Sequence, residues 1–428
     1  MTPRHAALLL SLPLSACFNG DAALHKPCTN DRQCGVGQRC VDKYCDGGLP
    51  RQLATRAITS SNLSQVTAIV TGNFTEDPAI DFAAVSIGGG LEVHENLGGG
   101  DFQVRASTYI NGLSNFVDMA VADLDDDSQP DFLVLTINGF IEIVRWNGSA
   151  FAPPVPFELP SMDLFAITTA DVAGSDDTDV IVAASSGIYL LVNDGGTLGT
   201  PVFEAAPLYE PWDVLVVGKK PDARILAPES NDQSFDGSMS QAVRIMHVSG
   251  LDLVPDPPLD TQFRNPWGLA AGDFLGGDEL EVAVIERRLD AAAGMTEEAT
   301  ETPGRVRFFR LEGTAITTVG ELEVGVGALA GVGADLDDDG KDDLVLANTG
   351  APGSQGARIQ VYFGSAKAEP TEDDLLEAPA VGDRGIAAGS RLAVGDVDED
   401  GKPEVLVPDF GIRDNLAGRI VFVEETVR

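Results

Sequence analysis

The sequence predicts an all-β protein: a seven-bladed β-propeller whose last blade is completed by an N-terminal strand, preceded by a small disulfide-rich segment. Three observations carry that expectation. A strand–loop–strand unit recurs seven times, at a period of 48–62 residues. A Gly- or Ala-led apolar strand follows each copy, as in GLEVHENLG, GIYLLVNDGG and GRIVFVEET. A half-repeat near the N-terminus matches the outer strand that the seventh copy lacks. Four short strands per repeat, many times over, is the pattern of small sheets arranged around an axis. Helical periodicity is absent, which argues against a helical solenoid.

The 428 residues are 22% charged and 43% hydrophobic, an ordinary globular balance with ample length for a core. The formal net charge is −39. Such a surface excludes nucleic acid as a partner, because little in it could neutralise phosphates. It equally disfavours direct contact with anionic headgroups. It suits a soluble exported protein and attracts cations.

Residues 1–16 read as a signal peptide. Arg4 and His5 precede an apolar run over 6–14 that is too short to span a bilayer. LSAC at 14–17 resembles the bacterial lipobox, which implies that Cys17 is lipidated and becomes the mature N-terminus, with 17–27 as a tether. The alternative is a simple secreted protein with a chance cysteine. The expectation is an exported chain, anchored by lipid to the bacterial outer membrane or cell surface, with no other membrane contact. Residues 28–46 hold Cys28, Cys34, Cys40 and Cys45, an even set that reads as two disulfides. The zinc alternative wants C-x2-C pairs, which these spacings lack. The pattern resembles small cysteine-rich knots between lipid anchor and main domain in some bacterial surface proteins. Four cysteines allow three pairings, and the sequence does not choose among them.

Residues 53–428 form the propeller. VADLDDDSQPDFLVL (121–135), GADLDDDGKDDLVLA (333–347) and VGDVDEDGKPEVLVP (394–408) align closely. TGNFTEDPAIDFAAV, TADVAGSDDTDVIVA and AGDFLGGDELEVAVI are weaker copies. The first loop positions are Asn73, Asp123, Asp171, Asp273, Asp335 and Asp396, spaced 50, 48, 102, 62 and 61. The gap of 102 is two periods, and WDVLVVGKKPDARILAPE (212–229) fills it with its acidic loop lost. First strands such as LAAGD and LAVGD carry small residues because inner strands converge on the axis. LATRAITSSNLSQVTAIVTGNF (53–74) aligns with FQVRASTYINGLSNFVDMAVADL (102–124), Arg56 matching Arg105. Residues 53–60 are therefore expected to pair with the strand at 418–424, closing the ring and removing its open edges.

The acidic loop D-x-D-x-D-G-x-x-D crowds carboxylates at positions 1, 3, 5 and 9. A hard cation with six to eight oxygen ligands suits that set, calcium ahead of magnesium. It is not an EF-hand, since position 12 is Leu346, Val134 or Val407 and strands flank the loop. A catalytic cluster would occur once rather than around a ring. Turn preference alone explains one or two Asp per loop. These residues resemble FG-GAP or VCBS-type repeats, the family that includes the propeller of integrin α-subunits, over about residues 53–428. The resemblance is most specific at 123–131, 335–343 and 396–404. It implies calcium held by Asp123, Asp125, Asp127 and Asp131; by Asp335, Asp337, Asp339 and Asp343; and by Asp396, Asp398, Asp400 and Glu404. The backbone carbonyls of Gln129, Lys341 and Lys402 would assist. Ser128 and Glu404 depart from the pattern. Asn73, Asp77 and Asp81 keep part of it in the first repeat, where Thr75 replaces an acid. About three ions are implied, four if that loop fills.

Loops between second and third strands lengthen in the last four repeats, on the face away from the acidic loops. Tyr209, Trp212, Phe263 and Trp267 join them there. Long loops clustered on one face often carry function. A protein or glycan is the expected partner, and the chain is expected to be a monomer. The bland reading is that both Trp pack between blades. The leading function is a calcium-stabilised, non-enzymatic surface binding or adhesion propeller. The alternatives are an enzyme on the same scaffold, such as a polysaccharide lyase or quinoprotein-type dehydrogenase, and a structural subunit of an envelope complex. No catalytic motif is found. His94 and His247 fall in third strands, leaving Arg264, Arg287 and Arg288 for any Asp–Arg chemistry.

Overall fold

The computed structural model describes residues 39–41, 44–46, 52–75, 77–110, 115–206, 208–230, 241–259, 262–277, 279–290, 300–312, 315–348, 359–365, 367, 369–371, 374–379, 391–409 and 417–426. The signal segment, Cys17, Cys28 and Cys34 lie outside these residues. Of the cysteine-rich segment only the backbone of a hairpin is described, Arg39–Val41 paired with Tyr44–Asp46, with Cys40 opposite Cys45. Leu53–Glu424 form a separate compact unit. Among the described residues there is no α-helix, and so none able to cross a membrane.

Seven four-stranded sheets make up that unit. Blade 1 is Val66–Gly72, Asp81–Ser86, Gly90–Asn96 and Phe102–Tyr109. Blade 2 is Phe116–Ala122, Asp131–Thr136, Phe140–Val144 and Val155–Glu158. Blade 3 is Leu164–Ala170, Asp179–Ala184, Gly187–Leu191 and Val202–Ala205. Blade 4, the one with no acidic loop, is Leu215–Val217, Arg224–Pro228, Val243–Ser249 and Asp252–Asp256. Blade 5 is Pro266–Gly272, Glu281–Glu286, Pro303–Glu312 and Ala315–Val326. Blade 6 is Ala328–Ala334, Asp343–Asn348, Ile359–Tyr362 and Leu375–Glu377. Blade 7 takes Ala393–Gly395, Glu404–Asp409 and Ala417–Thr426 from the C-terminal end and Gln52–Ser64 from the N-terminal end. The expected closure therefore holds. Arg56 seals it: its guanidinium lies 4.0 Å over the Phe422 ring and donates to Gly100 O at 2.9 Å.

Strand faces alternate, so each sheet presents apolar side chains on both sides. These bury against the neighbouring blades. The core accordingly divides into seven clusters, each made of two adjacent blades. Ala68, Val85, Phe116 and Val134 join blades 1 and 2, for example, and Ile69, Phe82, Leu406 and Phe422 join blades 7 and 1. Small residues on inner strands follow from crowding at the axis. A Cβ on Gly268 would sit 2.5 Å from Leu329 O, and one on Gly333 2.5 Å from Ala271 O.

Two backbone devices recur that the sequence reading did not anticipate. The residue just before the inner strands of blades 1, 2, 3, 5 and 6 is left-handed: Gln65, Asn115, Asp163, Asn265 and Gly327, with φ between 52 and 84°. Tyr209 is left-handed on the approach to blade 4. Inner strands of blades 1, 2, 3, 5 and 6 then carry a bulge, at Thr67, Val117, Phe165, Trp267 and Leu329. A bulge re-aims one side chain. Here it helps build a row across three blades. Phe165 meets Trp212 edge-on at 5.0 Å, Trp212 stacks on Trp267 at 5.5 Å, and Arg287 lies 4.7 Å over Trp267. Both Trp are half-buried and stack on one another.

At the axis Arg391, just before blade 7, reaches across to blades 2 and 3. It pairs bidentately with the buried Asp118 at 2.9 and 3.0 Å and donates to Ile167 O at 2.6 Å. Asp213 lies in the same charge network, and burial pushes it up to about 6 against the pull of Arg391. Arg391→Met should strand a buried carboxylate and cost about 3–5 kcal/mol in urea unfolding. Asp213 is raised above its unfolded value of 3.8, so its contribution to stability is present at acid pH and lost as pH rises through about 6. Unfolding midpoints of wild type and Asp213→Asn between about pH 4 and 7 should therefore diverge. The wild type should lose relatively more stability toward neutral pH.

Candidate metal centres

Each acidic loop joins an inner strand to the second strand of its blade. In blade 6 the chain leaves Ala334, turns through Asp335–Asp342, and re-enters the sheet at Asp343. The tight turn needs two left-handed residues, the fourth and sixth of the loop. These are Asp338 and Gly340 in blade 6, Asp126 and Ser128 in blade 2, and Glu399 and Gly401 in blade 7. Ser128 thus adopts the glycine conformation, at φ 68°, for a cost of about 1–2 kcal/mol. The departure from the sequence pattern leaves the loop shape intact.

Backbone N–H groups then order the carboxylates. Asp335 accepts from Asp339 N at 3.1 Å and Gly340 N at 3.0 Å, and Asp339 accepts from Lys341 N at 2.9 Å. Asp123 accepts from Asp127 N and Ser128 N, and Asp127 from Gln129 N. Asp396 accepts from Gly401 N, Asp398 from Asp400 N, and Asp400 from Lys402 N. As a result three groups of carboxylates converge, each offering oxygens within 4.8 Å of one another. They are Asp123, Asp125 and Asp127; Asp335, Asp337 and Asp339; and Asp396, Asp398 and Glu404. Such acidic clusters could hold metal ions. The donor set is all oxygen, which fits a hard cation. In blade 7 Asp396 Oδ1 is buried with no hydrogen-bond partner among the described residues, as is Asp273 Oδ1 in blade 5.

The ninth position does something the sequence reading did not see. Asp131 accepts Leu124 N, and Asp343 accepts Leu336 N at 2.9 Å and Gly364 N at 2.9 Å. The same carboxylate recurs where the rest of the loop is degenerate. Asp81 accepts Phe74 N and Asn96 N; Asp179 accepts Val172 N, Ala173 N and Asn193 N; Glu281 accepts Phe274 N and Leu275 N. All are buried. This acid is a staple that fastens the loop to its own sheet, and Asp131 and Asp343 stand outside the three-carboxylate groups. Glu404, one methylene longer, does both: it accepts Val397 N at 2.7 Å and still reaches the blade 7 cluster. Burial, with Asp398 and Asp400 adding to it, pushes Glu404 up to about 7. Asp400 is the outlying member of its set. Burial likewise pushes Asp131 up to about 6. Arg145 pairs with Asp131 and lies 3.4 Å from Asp125, so blade 2 already carries a positive charge at its cluster.

Blade 1 differs. The Asn73 amide donates to Asp77 O at 2.5 Å, Asp77 caps Ala79 N, and Thr75 Oγ1 donates to Asp81. Asn73, Asp77 and Asp81 thus each hold a hydrogen bond within the loop, and Asp81 serves as its ninth-position staple. Histidines lie where expected, in third strands. His94 stacks on Phe82 at 4.4 Å and pairs with Glu92, while His247 pairs with Asp256 at 3.0 Å.

Asp343→Ala and Asp337→Ala should separate staple from ligand. The first removes a buried acceptor from two backbone donors. It should lower stability by about 3 kcal/mol even in chelator, measured by urea unfolding. The second should be near neutral in chelator.

Comparison with known proteins agrees with this architecture. Residues 335–407 match the family model described as FG-GAP-like repeat, a stretch that holds the loops of blades 6 and 7. No curated protein matches the chain. Among solved structures, the fold is similar to BBS1N in its crystal structures in complex with ARL6DN. In the mercury-soaked crystal the TM-score is 0.54 at 14% identity, over 86% of this chain and 95% of that one. In the lead-soaked crystal it is 0.54 at 15% identity, over 86% and 96%.

Proposed function

We propose that this FG-GAP-type propeller is a calcium-stabilised, non-enzymatic binding module, carried outside the cell on a lipid anchor at Cys17. One observation carries the reading. Three loops of the same backbone shape each gather three carboxylate oxygens within 4.8 Å, on a chain of net charge −39. Bound calcium supplies the positive charge that relieves this repulsion. The chain's residues hold it: Asp335, Asp337 and Asp339 in blade 6, Asp396, Asp398 and Glu404 in blade 7, and Asp123, Asp125 and Asp127 in blade 2. The carbonyls of Gln129, Lys341 and Lys402 complete the sets. Arg145 makes blade 2 the weakest of the three. The binding face in this reading is the one that carries the Phe165–Trp212–Trp267–Arg287 row and the exposed Tyr209. A glycan or a protein surface is the ligand class such rings and guanidinium groups fit. His94 and His247, the histidines among the described residues, are each held in a pair with a carboxylate within a blade.

Chelation should lower Tm markedly. At a hundredfold excess over Kd, each ion that binds only the folded state adds about 2.7 kcal/mol. Asp337→Ala should lose one ion per chain by equilibrium dialysis and elemental analysis. A melting curve indifferent to chelator would remove the metal reading. Glycan arrays with wild type and Tyr209→Ala test the binding face, and turnover of polysaccharides, or of sugars with added quinone, would favour an enzyme instead.

A further inference from the structure

We propose that in blades 3 and 5 a lysine ammonium from the following blade takes the place that metal takes in blades 2, 6 and 7. This deepens the metal reading above and rests on it. In blade 3 the loop keeps Asp171 at its first position, but Ala173 and Ser175 replace the acids at the third and fifth. Lys220 enters from blade 4. Its Nζ lies 2.9 Å from Asp171 Oδ1, 3.2 Å from Asp176 Oδ1 and 2.5 Å from Ser175 O. An ammonium has three protons, and here it meets three loop oxygens. The close pairing with Asp171 holds Lys220 above its ordinary range.

Blade 5 repeats the arrangement with different residues. Asp273 opens the loop, and Leu275 and Gly277 stand where acids would. Lys341 enters from blade 6, its Nζ 2.7 Å from Asp273 Oδ2 and within hydrogen-bond reach of Gly277 O. The backbones are tied as well: Asp342 N donates to Asp273 O at 2.9 Å, and Asp273 N to Asp342 Oδ2 at 2.8 Å. In both cases the lysine belongs to the first-to-second-strand loop of the next blade and reaches back. The two loops that keep the first acid but lack those at the third and fifth positions thus each meet a tethered cation in the same geometric sense around the ring.

The two lysines differ in one respect. Lys341 is itself part of a metal loop, its N–H donating to Asp339 at 2.9 Å. Lys220 sits on a loop without an acidic cluster. The blade 3–4 stitch is therefore independent of calcium, whereas the blade 5–6 stitch is held in place by the blade 6 ion.

Ion counting and thermal unfolding of the whole chain test this. Asp171→Asn and Asp273→Asn should leave the calcium count at the wild-type value, whereas Asp337→Ala loses one ion. Lys220→Met should lower Tm by the same amount with calcium and with EDTA. Lys341→Met should lower it more with calcium than with EDTA. Loss of an ion in Asp171→Asn or Asp273→Asn would overturn the proposal, as would a Lys220→Met Tm unchanged in EDTA. If the wild type binds no calcium, the metal reading fails alone, and the EDTA arm of Lys220→Met still decides the lysine substitution.

Discussion

No blade of this propeller has a core of its own. Every apolar cluster is shared between two neighbours, from Ala68 and Phe116 at one interface to Phe82 and Phe422 at another. A sheet so built buries its faces only when both flanks are filled, so the hydrophobic free energy of each blade depends on the ring being complete. Closure by Gln52–Ser64 follows from that requirement. So does the crowding that admits only Gly at points such as Gly268 and Gly333.

The rim answers a different problem. Where inner strands turn outward, backbone N–H groups would be stranded in a tight loop, and a buried carboxylate at the start of the second strand collects them. Asp81, Asp131, Asp179, Glu281, Asp343 and Glu404 all perform this task. Cation binding is layered on top of it, in the loops that add acids at the first, third and fifth positions. The distinction explains why the ninth acid persists in blades 3 and 5. A loop can dispense with an ion more readily than with the group that holds its backbone.

Most of the fold was legible in the sequence because its signals are local and repeated. Small-residue inner strands, β-branched second strands and acidic turns each recur at a fixed spacing, and even the degenerate fourth repeat at 212–229 could be placed by its period. The three carboxylate groups were legible for the same reason. Less visible was whatever depends on side chains meeting across blades. The sequence marks Asp131 and Asp343 as acids in a loop, but nothing in their spacing says which oxygens face N–H groups. The loop pattern marks Lys341 only for its carbonyl, while its ammonium serves the neighbouring blade. Arg391 carries no motif, and its partner Asp118 lies 273 residues away. The bulges at Phe165 and Trp267 leave no residue signature either.

The strand Gln52–Ser64 is synthesised long before the segment it pairs with, and contacts such as Asn96 Nδ2 to Val397 O span 301 residues. High contact order of this kind slows folding. Until the seventh blade arrives, the chain must hold six blades with two raw apolar flanks and an N-terminal strand still without its partner. Any delay in delivering the C-terminal end lengthens the time that strand is open to another chain. The vulnerable period of this protein is thus set by chain order rather than by final stability.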